Sequence, residues 1–273
     1  MIPDLCDVVI KDGDVVAVDL ETYDPDLKKH GSGAILGKGF VVGIALAYGD
    51  KKFYIPLNHK ENKSGGHPPN HVWKILNKKI FQNEKVTKVF HNAMYDVCWI
   101  RAVTKKMVKG PIVDTMIAAS VIDENRMRYS LDSLAKDYKI GSKNKYDLEE
   151  RAFKDLGISD PMSNMHKLPH SLIRDYAEQD VNLTLKLWNK FEKIIKTPVK
   201  TESKSKKTLE NIFNLETRLF PCLVDMRFKG VRIDEKKAET LGKDLEKRKE
   251  RIVRGIKKRT GIPVEIWAAK SIQ

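Results

Sequence analysis

Residues 14–20, Asp-Val-Val-Ala-Val-Asp-Leu, form a short valine-rich run that ends in carboxylates. β-Branched residues at this density read as a buried strand. Side chains alternate between the two faces of a strand, so Asp19 and Glu21, two apart, project to the same face. A fold built on this run must bury the valines and still carry two acids to one point beside the core. Like charges so close repel and shift each other's pKa unless a cation lies between them. A hard divalent ion with oxygen ligands is the natural occupant.

The remaining pattern alternates strand and helix signals. Residues 24–39 are rich in Gly, Pro and charge and read as a loop. The two β-prone runs 40–49 and 51–57 meet at Gly49-Asp50 and predict a hairpin. After a second loop over 61–70, residues 71–81 have helical spacing. Residues 85–90 predict a strand running into a helix over 91–103, and 111–122 a strand passing into a helix. Residues 129–138 form an amphipathic helix with Ser130 as its N-cap, whereas 141–168 read as polar and irregular. Residues 171–195 form a long helix with an apolar stripe. The polar break 197–208 marks a domain boundary, and helical patterns follow over 208–228 and 234–259. Strands interleaved with helices predict an α/β domain over 1–196 and a helical segment over 197–273.

Two further acids fall at places where packing should dominate. Asn92 and Asp96 are four apart just past a predicted strand and share one helix face. Tyr176 and Asp180 repeat that spacing on the apolar stripe of the long helix, so Asp180 points inward. A buried carboxylate without a partner is costly and calls for a metal, a base or a hydrogen-bond network.

The three segments Asp19–Thr22 (DLET), Asn92–Asp96 (NAMYD) and Tyr176–Asp180 (YAEQD) resemble, in order, the three motifs of the DEDD exonuclease superfamily in its tyrosine-bearing branch. The resemblance covers about residues 14–196 and implies an RNase H-like fold with a mixed central sheet flanked by helices. Leu215–Asp234 is similar to the segment that opens the polymerase region of family A DNA polymerases and leads into thumb-like helices. The Gly- and Lys-rich insertion after the first motif is similar to bacteriophage members. The combination implies the 3′→5′ proofreading portion of a phage-type family A polymerase. Asp19, Glu21, Asp96 and Asp180 would hold two divalent ions, Mg²⁺ or Mn²⁺, with Asp19 bridging them. Tyr176 would orient the attacking water, and Thr22 and Asn92 would contact the terminal nucleotide. The substrate implied is a single-stranded DNA 3′ end on a primer-template, and the product a nucleoside 5′-monophosphate.

Nothing in the chain resembles the palm and fingers motifs, so the expected partner is a separate or deleted polymerase portion. The 18 residues before Asp19 are too few for a 5′ nuclease domain. Family members wedge a leucine against the terminal base, and 23–27 offers no clear equivalent. No processivity factor is identified. Two alternatives remain open: an RNA-trimming or helicase-associated member of the superfamily, and a non-catalytic DNA-binding module.

The charge fits a nucleic-acid partner. The net charge is +14, and residues 197–273 carry 20 Lys/Arg against 11 Asp/Glu. No run approaches the ~18 apolar residues of a membrane span, and the start lacks a secretory pattern. Three scattered cysteines, Cys6, Cys98 and Cys222, exclude a disulfide framework and fit a reducing cytoplasm. Asp114, between a strand and a helix, reads as a carboxylate that either supports the ligands from behind or caps a helix, rather than as a metal ligand, and Asn92 also suits an N-cap. Asp132 and Asp137 read as solvated helix positions. The pairs His67/His71 and His166/His170 read as loop histidines. Trp73, Trp99 and Trp188 read as core. The glycines at 31–39 lack the Lys-Ser/Thr ending of a phosphate loop.

Overall fold

The structure, a computed structural model, describes residues 8–60, 68–143, 145–198 and 208–268. Cys6, His67, most of the loop expected over 61–70 and most of the polar break lie outside the described residues. Five strands form one mixed sheet: β1 (Val15–Tyr23), β2 (Phe40–Tyr48), β3 (Lys51–Pro56), β4 (Thr87–Phe90) and β5 (Ile112–Asp114), in the order β3-β2-β1-β4-β5. The hairpin pairs β2 and β3 antiparallel, and β1 joins β2 antiparallel. β1 also pairs parallel with β4, and β4 with β5. All five strands stand where the valine and aromatic runs put them.

β1 alternates between two cores. Val16, Val18 and Leu20 enter one, with Val72 and Leu76 of α3 (Pro69–Leu76) and Val97 and Ile100 of α4 (Ala93–Thr104). Ala17 enters the other, with residues of α5 (Thr115–Ile122), α6 (Leu131–Asp137) and α8 (His170–Lys196). The period of two places Asp19 and Glu21 on the α8 side. α8 has 27 residues and is about 40 Å long. It buries Ile173, Tyr176, Ala177, Asp180, Val181 and Thr184 along one stripe.

Two irregular regions expected from the sequence are more ordered than their composition implied. The stretch 24–39 contains two single-turn helices, α1 (Leu27–His30) and α2 (Gly33–Leu36). Asp24 builds the second, because its carboxylate accepts from Gly33 N. The stretch 141–168 contains α7 (Lys145–Leu156) and a 3₁₀ turn (Met162–Lys167), and α7 buries Leu148 and Ala152. That burial overrides a helix of low mean hydropathy, so tertiary packing decides it. After α3 the chain continues as a π-helical turn, Asn77–Phe81.

The structure divides into two compact units. The first ends at Phe228 and the second begins at Lys229. α9 (Glu210–Lys229) belongs almost entirely to the first, since Phe213, Phe220 and Val224 join its two cores. Arg101 fixes it further, pairing with Asp225 at 2.5 Å and lying 4.4 Å over the Phe228 ring. The second unit holds α10 (Glu235–Thr260), capped by the Asp234 carboxylate on Lys237 N and with no residue buried. No helix among the described residues is long and apolar enough to cross a membrane.

Candidate active site

The site lies beyond the carboxyl end of β4, where α/β sheets commonly open a crevice. β1 pairs with β4 only over Val15–Ala17. Past that point this edge of β1 has no strand partner, and the Asp96 carboxylate takes its place by accepting from Leu20 N at 3.0 Å. Asp96 is thereby inserted between Asp19 and Glu21 along the backbone. It stands in the first turn of α4, where the helix dipole favours a carboxylate.

The start of α4 is built by Asp114. Its carboxylate accepts from Asn92 N (3.0 Å), Ala93 N (2.8 Å) and Met116 N (2.8 Å). One side chain thus caps α4 and α5 together, as its place between a strand and a helix suggested. Asn92 occupies the cap position of α4 in a left-handed conformation (φ 70°) without a capping bond from its side chain. That leaves its amide exposed. The Thr22 hydroxyl meets the Tyr95 hydroxyl at 2.6 Å, and Tyr95 also donates to Asp24. Burial lifts the Tyr95 phenol to about 12.

α8 brings the fourth acid, Asp180. Asp19, Glu21, Asp96 and Asp180 perturb one another's ionisation. Burial first, and then the charge of Asp180, pushes Asp19 up to about 7. Burial and the charges of Asp19 and Asp180 hold Glu21 well above the usual carboxylate range. Burial and Asp19 do the same to Asp96. Asp180 is raised by burial, although Lys143 and the Tyr176 hydroxyl oppose the rise. Burial, Glu21 and Asp180 lift the Tyr176 phenol, so it keeps its proton.

Two buried oxygens, Glu21 Oε1 and Asp180 Oδ1, have no hydrogen-bond partner among the described residues. Unpaired buried acceptors beside repelling carboxylates suit a cation. Among the described residues, no three acidic, histidine or cysteine side chains are already gathered as a ligand cage. Asp180 Oδ2 is instead paired with the ammonium of Lys143. The donor chemistry therefore fits a hard divalent ion, with one carboxylate held by an internal cation.

Other residues at the site had no clear signal in the sequence. Lys143 sits in the stretch read as irregular. The rings of Tyr23 and His166 lie 4.2 Å apart between centroids, and Phe40 stands 5.3 Å from Tyr23. Phe40 and His166, with Lys60 and Lys167, line a cavity of about 560 Å³. Behind Glu21, Tyr54 lies across Gly43, the register partner of Glu21; a Cβ there would meet the Tyr54 hydroxyl at 2.1 Å. His59 Nδ1 must donate to the Leu168 carbonyl (3.0 Å), so its Nε2 accepts from the Tyr54 hydroxyl (2.7 Å). Burial holds His59 down to about 4. Asp132, expected to be solvated, is half-buried and accepts from Lys143 N at 3.0 Å. Trp73, Trp99 and Trp188 are core residues.

A family model described as a 3′-5′ exonuclease matches residues 4–196. The chain belongs to this exonuclease family, that of family A DNA polymerases. Relatives of the family's phage branch include the DNA-directed DNA polymerase of Pseudomonas phage M6, 31% identical over 80% of this chain and 31% of the relative. The DNA polymerase DpoZ of Salmonella phage PMBT28 is 29% identical over 85% of this chain and 33% of the relative. The chain thus spans about a third of the length of these relatives. The exonuclease fold is also that of Brucella melitensis NrnC, solved bound to pGG (TM-score 0.55, 18% identity, 84% of this chain and 90% of that one). The POL domain of Pol1 from M. smegmatis, solved with a DNA primer-template and dNTP, overlays 94% of this chain and 36% of its own (TM-score 0.57, 15% identity).

Proposed function

We propose that this chain removes nucleotides from DNA 3′ ends by metal-dependent hydrolysis and serves as the proofreading part of a phage-type DNA polymerase. The observation that carries the reading is the set of four mutually repelling carboxylates with two orphaned, buried oxygens, in a chain of the 3′→5′ exonuclease family. A cation bound among them in the working state would relieve that repulsion and satisfy the orphaned oxygens.

Asp19, Glu21, Asp96 and Asp180 would hold two divalent ions, Mg²⁺ or Mn²⁺. Bound there, the ions supply Lewis-acid polarisation of the phosphodiester and neutralise the charge that develops on its oxygens. The protonated Tyr176 hydroxyl orients the attacking water. Thr22, fixed by Tyr95, and the exposed Asn92 amide bind the terminal nucleotide. Tyr23, Phe40 and His166 offer aromatic faces for bases, and Lys60 and Lys167 offer charge for the backbone. Single-stranded ends are favoured because the terminal phosphodiester must be drawn down to acids that are themselves buried. The basic helix α10 grips duplex phosphates without sequence preference, with a strong salt dependence.

The test uses 5′-labelled single-stranded DNA with Mg²⁺ or Mn²⁺, beside an EDTA control and Asp19→Ala. A ladder shortening from the 3′ end, absent in both controls, is the expected result. A parallel RNA substrate separates DNA proofreading from RNA trimming. Binding of DNA with no shortening in either metal would replace the enzyme by a binding module.

A further inference from the structure

We propose that Lys143 is the resident counter-ion of the carboxylate site, holding Asp180 in the metal-free protein and giving it up to a divalent cation. It would thereby set how tightly the site takes metal. The inference rests on the metal-dependent reading above.

The Lys143 ammonium pairs with Asp180 Oδ2. The acid is almost closed to solvent, its side chain 5% exposed, while that of Lys143 is 23% exposed. The cation therefore stands at the rim of the site with its charge turned inward. It lies 5.5 Å from the centre of the Tyr176 ring. Its field also reaches Asp19 and Glu21, and at each it opposes the rise in pKa. Among the described residues it is the basic side chain paired with one of the four acids.

The backbone around Lys143 is fixed without help from its side chain. Lys143 N donates to Asp132 on α6, and Ser142 O accepts from Gln179 on α8 at 2.5 Å. Gly141 (φ 140°) packs so closely on Leu183 that an added Cβ would lie 2.9 Å from it. The anchored stem thus aims a flexible four-carbon arm at the site. A lysine suits this place because its ammonium is a compact charge that can withdraw along that arm to water. An arginine would clamp the carboxylate with two parallel bonds and release it less readily.

The ammonium occupies a lone pair of Oδ2 and brings a positive charge to the carboxylate, and that charge repels a divalent ion approaching the same group. Metal binding therefore works against the pair, and the cost of loosening it is subtracted from the affinity.

The test is Mn²⁺ binding to the full chain by calorimetry at fixed pH without DNA, with melting temperature in EDTA as a second readout. Lys143→Met is expected to bind Mn²⁺ about tenfold more tightly, the factor that corresponds to ~1.4 kcal/mol of lost competition. Its metal-free form should melt lower than the wild type. Lys143→Arg, which keeps the charge and the fold, is expected to bind Mn²⁺ several-fold more weakly. A purely structural lysine would give weaker metal binding in Lys143→Met and recovery in Lys143→Arg. That pattern, or unchanged affinity in Lys143→Arg, overturns the proposal even where Lys143→Met does not fold. If the wild type binds no Mn²⁺ and degrades no DNA, the metal-dependent reading itself fails. If it does both and the variants bind like it, only the role of Lys143 falls.

Discussion

Replacing Asp114 by alanine should unsettle the site from a distance. Asp114 is not one of the four acids, although its charge helps to raise Asp96; its carboxylate accepts from Asn92 N, Ala93 N and Met116 N, the opening donors of α4 and α5. Asn92 is exposed, so its N–H can turn to water; Ala93 is fully buried and Met116 half-buried. Two donors are therefore left short of partners, at about 1–3 kcal/mol each. Against this stands some relief, because burial holds the Asp114 carboxyl above its ordinary value despite its backbone donors. The net loss is about 2–4 kcal/mol, which lowers the melting temperature by about 5–15 °C for a unit of this size. Since α4 carries Asp96 and Asn92, nuclease turnover should fall together with stability. Asp114→Asn keeps one acceptor oxygen and should lose about half as much. Denaturant unfolding followed by circular dichroism measures both variants. An Asp114→Ala protein within about 0.5 kcal/mol of wild type would refute the view that this one side chain builds both helix starts.

The metal-free protein should lose stability as pH rises from about 4 to 7, because folded Asp19 holds its proton up to about 7 while the unfolded chain releases it near the ordinary value. Asp19→Asn should flatten that slope in EDTA melting curves; an unchanged slope would contradict the assignment. His59 works in the opposite direction. It is buried neutral with a pKa of about 4, so the stability it contributes is complete above about 6.5 and drains away as pH falls toward 4. Its ring signals in NMR should show no titration between pH 5.5 and 8, with the proton on Nδ1, and a midpoint near 6.5 would rule out the buried network. Gly43→Ala should cost about 1–3 kcal/mol by driving Tyr54 off His59. The double variant with Tyr54→Ala should then lose less than the sum of the two, and strict additivity would mean the two residues do not touch.

The local sequence determined the elements and the chemical types. The valine run made β1 buried, and its period of two put Asp19 and Glu21 on one side. The spacing of four aligned Tyr176 with Asp180 and faced both inward. Asp114 declared itself as a supporting or capping carboxylate by lying between a strand and a helix. These features depend on neighbours within about one helical turn, which a sequence displays directly. Composition misled where packing overrode it. Residues 145–156 look polar, yet Leu148 and Ala152 found a core to enter, and α9 joined the first unit through three spaced apolar residues. Only the tertiary structure decided which distant groups meet. Leu20 N reached Asp96 because β4 stops short, Lys143 met Asp180 across 37 residues, and His59 met Leu168 across 109. Such pairings are fixed by where strands end and how helices cross the sheet, and no residue carries the name of its partner in its own neighbourhood.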